Sequence, residues 1–181
     1  ARHQAMNLFW AKGYASCSMD DLLNETGLSR SSFYNTFGSK RRLYESVLDQ
    51  FGQMGTMALQ ILRSDKSMMD ALDDFFQVTF FLPATKLENG CLLVNTVLEQ
   101  RGNDEALSRI ASGKLLKIEQ EFIHFFERSK RNKQLKSPFP SSQLAAYFMT
   151  FIKGLRVAAR EGKSINELQL SIKTATQILE R

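Results

Sequence analysis

The side chains best suited to binding another molecule lie between Ser29 and Thr36, in the stretch SRSSFYNT. Phe33 and Phe37 are four residues apart, so in a helix they share one face and can be buried together. The opposite face then presents a small, polar and basic set: Arg30, Ser31, Ser32, Tyr34 and Asn35. Hydroxyl, amide and guanidinium groups in this arrangement are typical of a helix that enters a DNA groove.

The residues around this helix predict the element that positions it. Ser18 is a good N-cap for a preceding helix, and Asp21 stands where a capping box has its acid. Gly27 is suited to end that helix, because glycine takes the left-handed conformation without steric cost. Ser29 can cap the second helix and Ser39 a further one. The sequence therefore predicts two short helices joined by a tight turn, followed directly by another helix.

The distribution of charge favours a polyanionic partner. The formal net charge is +5, and the segment from Leu28 to Tyr44 contains no acidic residue. Its basic residues are Arg30, Lys40, Arg41 and Arg42. The acids of this region precede the segment and belong to the first of the two short helices. A basic segment of this kind is compatible with nucleic-acid binding.

The rest of the chain is predicted to be helical. No alternation of apolar and polar residues is long enough for a convincing strand, and prolines occur only at 83, 138 and 140. We expect an all-α fold of about nine helices, with a DNA-binding head at 1–46 and a helical body at 47–181. The predicted helices outside the two short ones are 1–12, 39 to about 62, 67–82, 91–100, 104–131, 141–161 and 164–180, with a loop at 83–90.

Several classes of protein are disfavoured by the sequence. No apolar run approaches the length of a membrane span, and the N-terminus lacks a signal-peptide pattern. Cys17 and Cys91 match no metal-binding spacing, and they favour a reducing, cytoplasmic setting. An enzyme built on a helical bundle would need paired carboxylates, a Cys/His cluster or a nucleophile–base pair, and the sequence shows none of these. We therefore expect no enzyme activity, no metal, no cofactor and no membrane partner.

The N-terminal fifty residues resemble the DNA-binding domain of tetracycline-repressor-type (TetR) transcriptional regulators. The resemblance rests on LFWAKGY and on SMDDLLNETGLSRSSFYNTFGSKRRLYESVL. It includes the glycine–aromatic pair after the first helix, the TGLS turn, and the FYxxF helix followed by SKxxL. The body resembles the family loosely, in length and helix count, and the segments NGCLLVNTVLE and FIKGLRVAAREG are similar to ones found in some family members.

The resemblance implies a homodimer that binds a palindromic operator and is released when a small-molecule effector enters the body. It makes Ser29–Thr36 the recognition helix, with Arg30, Ser31 and Ser32 nearest the bases and Tyr34 at a phosphate. Arg30 could instead touch only phosphate. The residues expected to contact DNA are Ser18, Met19, Ser29, Arg30, Ser31, Ser32, Tyr34, Asn35, Thr36, Ser39 and Lys40.

The body offers candidate residues for an effector pocket and for a dimer interface. Clustered phenylalanines either form ordinary core or line an apolar or aromatic pocket. The pocket candidates are Phe75, Phe76, Phe80, Cys91, Phe122, Phe126 and Phe148. The last two helices are expected to form a four-helix interface between protomers. The interface candidates are Tyr147, Phe151, Gly154, Leu155, Ala158, Leu168, Ile172 and Ile178.

Two alternatives to a ligand-released repressor stay open. Cys91 directly follows Gly90 at the predicted start of a helix, where a thiolate is favoured, and similar family members sense electrophiles or oxidants through cysteine. The competing interpretation of Cys91 is an unreactive buried cysteine. The second alternative is an architectural DNA-binding protein, which would bind without sequence preference and leave the aromatic body unexplained.

Overall fold

The computed structural model of the chain describes residues 1–82 and 86–179, and these residues form helices, turns and loops without any strand. The predicted all-α fold is confirmed. The helices are α1 (Arg2–Lys12), α2 (Met19–Thr26), α3 (Arg30–Phe37), α4 (Lys40–Leu59), α5 (Met68–Phe76), α6 (Leu92–Gln100), α7 (Glu105–Arg131), α8 (Ser141–Arg160) and α9 (Ile165–Gln177). Among the residues described, no helix combines the length and the apolar character that crossing a membrane requires.

Several helix starts are set by capping side chains. Ser18 and Ser164 each form a complete capping box, with Asp21 and Glu167 as the reciprocal acids. Ser29 accepts a hydrogen bond from the backbone N–H of Ser32, as an N-cap does. Such caps satisfy N–H groups that have no partner inside the helix.

Two helix ends differ from the sequence prediction, and near each of them a distant arginine donates a hydrogen bond to a backbone carbonyl. Helix α4 ends at Leu59, and a 3₁₀ turn at Ile61–Arg63 follows, where the Arg128 side chain donates to the carbonyl of Leu62. Helix α5 ends at Phe76 and continues as one π-helical turn, Gln77–Phe81. There Nη2 of Arg156 donates to the carbonyl of Thr79 at 2.6 Å.

The loop predicted at 83–90 is only partly covered by the structure. Residues 83–85 lie outside the described residues, whereas Leu87–Asn89 form a 3₁₀ turn. At the C-terminus α9 ends at Gln177, three residues before the predicted end.

The chain divides into two compact units, and the division differs from the one predicted after residue 46. Unit 1 comprises Ala1–Met54 and Cys91–Leu115, so it contains α6 and the first part of α7 in addition to the N-terminal helices. Unit 2 comprises Gly55–Gly90 and Leu116–Arg181. Helices α4 and α7 each contribute residues to both units.

The core of unit 1 is built on aromatic residues of α1 and α4. The ring of Phe9 lies edge-on to that of Tyr44 with 4.7 Å between centroids, and Tyr14 packs 4.7 Å from Tyr44. Trp10 meets Phe51 in the same way at 5.0 Å. Aromatic pairs of this geometry contribute about 0.5–1.5 kcal/mol each beyond the area they bury.

The core of unit 2 is a cluster of phenylalanines from α5, α7 and α8. Phe75 lies 5.3 Å from Phe122, and Phe126 lies 5.3 Å from Phe148, measured between ring centroids. These four side chains are at most 3% exposed. Burying a phenylalanine contributes about 1.5–3 kcal/mol, so this cluster is a main source of stability for the unit.

Candidate nucleic-acid interface

Helices α2 and α3 form the predicted helix-turn-helix, and the turn between them depends on a glycine. Gly27 has φ of 67° and ψ of 17°, in the left-handed region that glycine adopts at no steric cost. A Cβ atom at this position would meet no other atom within 4 Å, so the requirement comes from the backbone alone. Beyond the turn, Ser29 caps α3 and fixes where the helix starts.

The buried face of α3 leaves its polar face open. Phe33 is 0% exposed, and its ring lies 5.4 Å from that of Phe37. Tyr34 is 45% exposed, which confirms that it points away from the core. The other residues predicted to point outward, Arg30, Ser31, Ser32 and Asn35, are also exposed. Thr36, which is expected to contact DNA, is exposed as well.

Hydroxyl groups at the start of α3 are arranged as a small network. Oγ of Ser29 lies 3.1 Å from Oγ of Ser31 and donates to Oγ of Ser32 at 2.9 Å. The N-terminus of a helix also presents backbone N–H groups and a partial positive charge. This end of α3 can therefore donate hydrogen bonds to phosphate oxygens or to acceptors on base edges.

Arg30 forms an ion pair that the sequence prediction missed. Its Nη2 atom lies 2.7 Å from Oδ1 of Asp20, which is on α2 and ten residues earlier in the chain. The pair requires the turn at Gly27 to bring the two helices together, so spacing along the sequence gives no direct sign of it. The arginine predicted to read bases is thus accompanied by a carboxylate.

The start of α4 carries the residues predicted to bind the DNA backbone. Oγ of Ser39 accepts a hydrogen bond from the backbone N–H of Arg42 at 3.1 Å, which makes Ser39 the cap of α4. The ammonium of Lys40 lies 4.5 Å from the centroid of the Tyr14 ring. A cation placed over an aromatic face is held in position without losing its charge.

At the start of α2, Ser18 is exposed and Met19 is half-buried. The Asp21 carboxylate accepts a hydrogen bond from the Lys12 ammonium and further ones from Ser18, and these contacts lower the pKa of Asp21 to about 2. Asp21 therefore stays ionised and keeps the capping box intact at neutral pH.

Three contacts within unit 1 fix the helix-turn-helix against α6 and α7, and none of them was predicted from the sequence. The Glu99 carboxylate accepts hydrogen bonds from the backbone N–H groups of Tyr14 and Ala15 at 3.0 and 2.6 Å. Arg41 forms an ion pair with the carboxylate of Asp104, and this lowers the pKa of that carboxyl. These contacts hold the loop after α1 and the first turn of α4 in place.

The third contact joins two buried hydroxyl groups. The hydroxyl of Tyr44 lies 2.6 Å from Oγ1 of Thr96, and burial raises the pKa of this tyrosine far above its ordinary value. The Thr96 hydroxyl also donates to the carbonyl of Leu92, so both polar side chains are satisfied inside the core.

The two cysteines occupy different surroundings within unit 1. Cys17 is buried, and burial raises the pKa of its thiol to about 11, so it is a poor nucleophile at neutral pH. Cys91 is half-buried at the position preceding α6. The hypothesis that Cys91 senses electrophiles stays a prediction.

In unit 2 the pocket candidates form packed core, and a cleft lies beside them. The phenylalanines of the predicted pocket are all at most 3% exposed, whereas the remaining candidate, Cys91, belongs to unit 1. The cleft has a volume of about 420 Å³ between α5, its π-helical turn and α9. It is lined by Met69, Asp73, Phe76, Gln77, Phe81, Gln169, Ile172, Lys173, Thr176 and Gln177.

The residues predicted for the dimer interface fall into two groups. Leu155, Leu168 and Ile172 are at most 6% exposed, so they pack inside the protomer. They can position exposed interface residues but have little surface of their own for a partner to contact. Tyr147 and Ile178 are 46% and 55% exposed. Gly154 is also exposed, while Phe151 and Ala158 are half-buried.

Comparison with known proteins agrees with this geometry. Residues 2–47 match the profile described as bacterial regulatory proteins, tetR family. The matched residues include the whole of α1, α2 and α3. The resemblance of the chain to TetR-type transcriptional regulators is thus confirmed.

Relatives and solved structures match this chain over most of its length. The HTH-type transcriptional regulator YezE of Bacillus subtilis is 27% identical over an alignment 181 residues long, which covers 98% of this chain and 93% of that protein. The HTH-type transcriptional repressor ComR of Escherichia coli is 25% identical over 93% of this chain and 81% of its own length.

Two solved structures show the same fold. A TetR-family regulator from Cytophaga hutchinsonii superimposes with a TM-score of 0.85 at 17% identity, covering 99% of this chain and 90% of that one. The TetR-family regulator CifR, as a cysteine mutant in complex with 26 bp operator DNA, has a TM-score of 0.82 at 24% identity and coverage of 97% and 93%. The similarity of fold therefore covers nearly the whole chain.

Proposed function

We propose that this regulator binds a palindromic operator as a homodimer, represses transcription there, and is released when a small-molecule effector enters its helical body. The observation that carries the proposal is the exposed polar face of α3, with Arg30 at its start and Phe33 buried behind it. A helix of this kind presents N-terminal side chains to base edges in the major groove.

Arg30 is the side chain best suited to read a base. A guanidinium can form two hydrogen bonds to the N7 and O6 atoms of guanine, which gives about 1–3 kcal/mol of discrimination. Ser31, Ser32 and Asn35 offer smaller polar groups on the same face. In the proposed complex, the Tyr34 hydroxyl donates a hydrogen bond to a phosphate oxygen.

Affinity in this proposal comes from phosphate contacts at helix starts. Lys40 lies at the first position of α4, where its charge adds to the positive end of the helix. The other proposed phosphate contacts are made by Ser18 and Met19 at the start of α2 and by Ser39 before α4. Contacts of this kind fix the protein on the duplex without reading its sequence.

A homodimer explains how such a short recognition helix could select one site. Two copies related by a two-fold axis present two α3 helices to two half-sites, so the operator is expected to be palindromic. The exposed residues of α8 and α9, including Tyr147, Gly154 and Ile178, are the proposed contact surface. The operator complex of CifR supports DNA binding by a protein of this fold, and the name of ComR supports repression.

Selection from genomic DNA tests DNA recognition directly. Purified protein is mixed with fragmented genomic DNA of the source organism, and bound fragments are recovered, sequenced and footprinted. We expect one palindromic motif, and we expect Arg30→Ala to lose preference at one position of each half-site. Recovery of fragments without any shared motif would instead favour the architectural alternative.

The cleft beside the phenylalanine core is the proposed site of the effector. Its apolar side chains, Phe76, Phe81, Met69 and Ile172, suit an apolar or aromatic molecule, while Asp73 and Lys173 add charged groups at the same cleft. The lining of the cleft therefore supports a molecule of mixed aromatic and polar character as the effector. Such a ligand would release the protein from DNA if it binds only one of two states of the protein, because it then shifts the balance between them.

A ligand screen by thermal shift, followed by release from operator DNA, tests the effector site. Gln169→Trp places a large side chain in the cleft and should abolish both the thermal shift and the release. Asn166→Trp lies on the same helix but does not line the cleft, so it should respond as the unaltered protein does. Equal responses from the two variants would place the effector elsewhere.

A further inference from the structure

Asp20 brings a carboxylate next to the arginine that is proposed to read bases. Oδ1 of Asp20 lies 2.7 Å from Nη2 of Arg30, and the two side chains are 77% and 58% exposed. An acid is unexpected beside a DNA-binding side chain, because phosphates repel it. Its neighbour Asp21 has a structural role in the capping box, whereas Asp20 forms an ion pair with Arg30.

We propose that Asp20 is a positioning residue that sets the sequence specificity of Arg30. The proposal rests on the proposed function, since it requires that α3 binds DNA. A guanidinium is planar and carries five N–H donors. A contact at Nη2 fixes that plane and leaves other donors for the edge of a guanine. An arginine that is already oriented loses less conformational freedom when it forms two parallel hydrogen bonds.

The same carboxylate weakens binding to other sequences. Attraction between phosphates and basic side chains supplies nearly all of the affinity for non-specific DNA. Where no guanine meets Arg30, Asp20 neutralises the arginine and repels the nearby phosphates. Specificity is the difference between two affinities, so a group that weakens the wrong complex more than the right one increases it.

The contribution of the pair is expected on DNA rather than in the stability of the free protein. An ion pair between two exposed side chains in water contributes little, because solvent screens it and both side chains lose freedom. Binding to DNA excludes water from the contact and strengthens each electrostatic interaction there. Replacing Asp20 should therefore change DNA binding while leaving the folded state intact.

The test compares two affinities of Asp20→Asn, which removes the charge and keeps the size of the side chain. Dissociation constants are measured by fluorescence anisotropy for the selected operator and for a scrambled duplex of equal length and composition. We expect binding to the scrambled duplex to become roughly tenfold tighter and binding to the operator to change less than about threefold. The ratio of the two affinities then falls several-fold.

Matched variants separate positioning from a general change of charge. Glu25→Gln removes the same charge from the other end of α2 and should leave the affinity ratio unchanged. Asp20→Glu keeps the carboxylate and should retain a ratio within about threefold of the original. In an Arg30→Ala background, Asp20→Asn should not alter the ratio further, since Asp20 acts through Arg30.

Two results would overturn the assignment of Asp20. One is an unchanged ratio in Asp20→Asn, checked with Asp20→Ser as a second neutral variant of confirmed melting temperature. The other is the same fall of the ratio in Glu25→Gln or in the Arg30→Ala background. An unaltered protein that selects no sequence at all would instead contradict the proposed function, so the two failures can be told apart.

Discussion

Lys40 gives a prediction that depends on a single charge. Its ammonium is held over the ring of Tyr14 at the start of α4. If it binds one phosphate, Lys40→Gln should reduce the slope of log affinity against log salt concentration by about one unit, for every DNA sequence alike. The measurement is operator binding over a series of salt concentrations. Lys163→Gln makes the same change of charge before α9 and should keep the original slope; a similar loss in both variants would contradict the contact.

Asp21 gives a prediction about acid stability. Its pKa is lowered from 3.8 to about 2 in the folded protein by the Lys12 ammonium and by Ser18. A carboxyl whose pKa is lower in the folded state binds its proton more readily after unfolding. Its stabilising contribution is therefore complete above about pH 4 and is lost as the pH falls towards 2.

Replacement of Asp21 should reveal this dependence directly. Asp21→Asn is expected to melt at a lower temperature than the unaltered protein at pH 7, and the difference should narrow as the pH approaches 2. Thermal unfolding followed by circular dichroism across this range measures it. Glu25→Gln, an exposed acid on the same helix, should show no comparable difference; a gap for Asp21→Asn that is constant with pH would contradict the role of its charge.

At the scale of elements, the turn between α2 and α3 allows a matched pair of glycine substitutions. Gly27 has a positive φ and Gly113 lies inside α7, and a Cβ atom at either position meets no atom within 4 Å. Gly27→Ala should destabilise the protein by about 1–2 kcal/mol, because an L-residue is strained in the left-handed region. Gly113→Ala should stabilise it by about 0.5–1 kcal/mol, because alanine favours the helix. Urea unfolding measures both, and shifts of the same sign would contradict this explanation.

Local signals were sufficient to predict where helices begin. The capping residues Ser18, Ser29 and Ser39 and the glycine at the turn act within a few positions of themselves, so the sequence shows them directly. The buried spacing of Phe33 and Phe37 likewise predicts which face of α3 is exposed. These features confirm the helix-turn-helix and its outward side chains.

Features that depend on contacts between distant residues could not be predicted in the same way. The ends of α4 and α5 are set with the help of Arg128 and Arg156, each more than sixty residues away. Glu99 holds the loop after α1 from a helix that is 84 and 85 residues later in the chain. No local pattern marks these side chains as partners, and they become visible only once the chain is folded.

At the scale of the whole molecule, the division into two units likewise depends on contacts between residues that are far apart in the sequence. Composition changes little after residue 46, and a boundary there follows from the length of the family resemblance alone. Tyr44, Arg41 and the loop after α1 bond to α6 and the start of α7, and this places those helices in the same compact unit as the helix-turn-helix.

The proposed dimer gives the prediction that concerns the whole molecule. Gly154 is exposed on α8, and a Cβ atom there meets no atom of its own protomer within 4 Å. A larger residue should therefore be tolerated by the protomer, and it should favour the helix over glycine. If a partner helix approaches at this position, Gly154→Leu overfills the contact at about 1–3 kcal/mol for each copy, and a two-fold interface contains two copies.

We expect Gly154→Leu to sediment as a monomer at concentrations where the unaltered protein is a dimer, while its helical content by circular dichroism is retained. Operator affinity should fall as well, because two half-sites are then no longer bound by one molecule. Gly113→Leu, which makes the same change on the exposed side of α7, should stay dimeric and bind as before. A dimeric Gly154→Leu would exclude this part of α8 from the interface, and the apolar side chains exposed on α9, such as Leu170 and Ile178, would then be the surface to alter next.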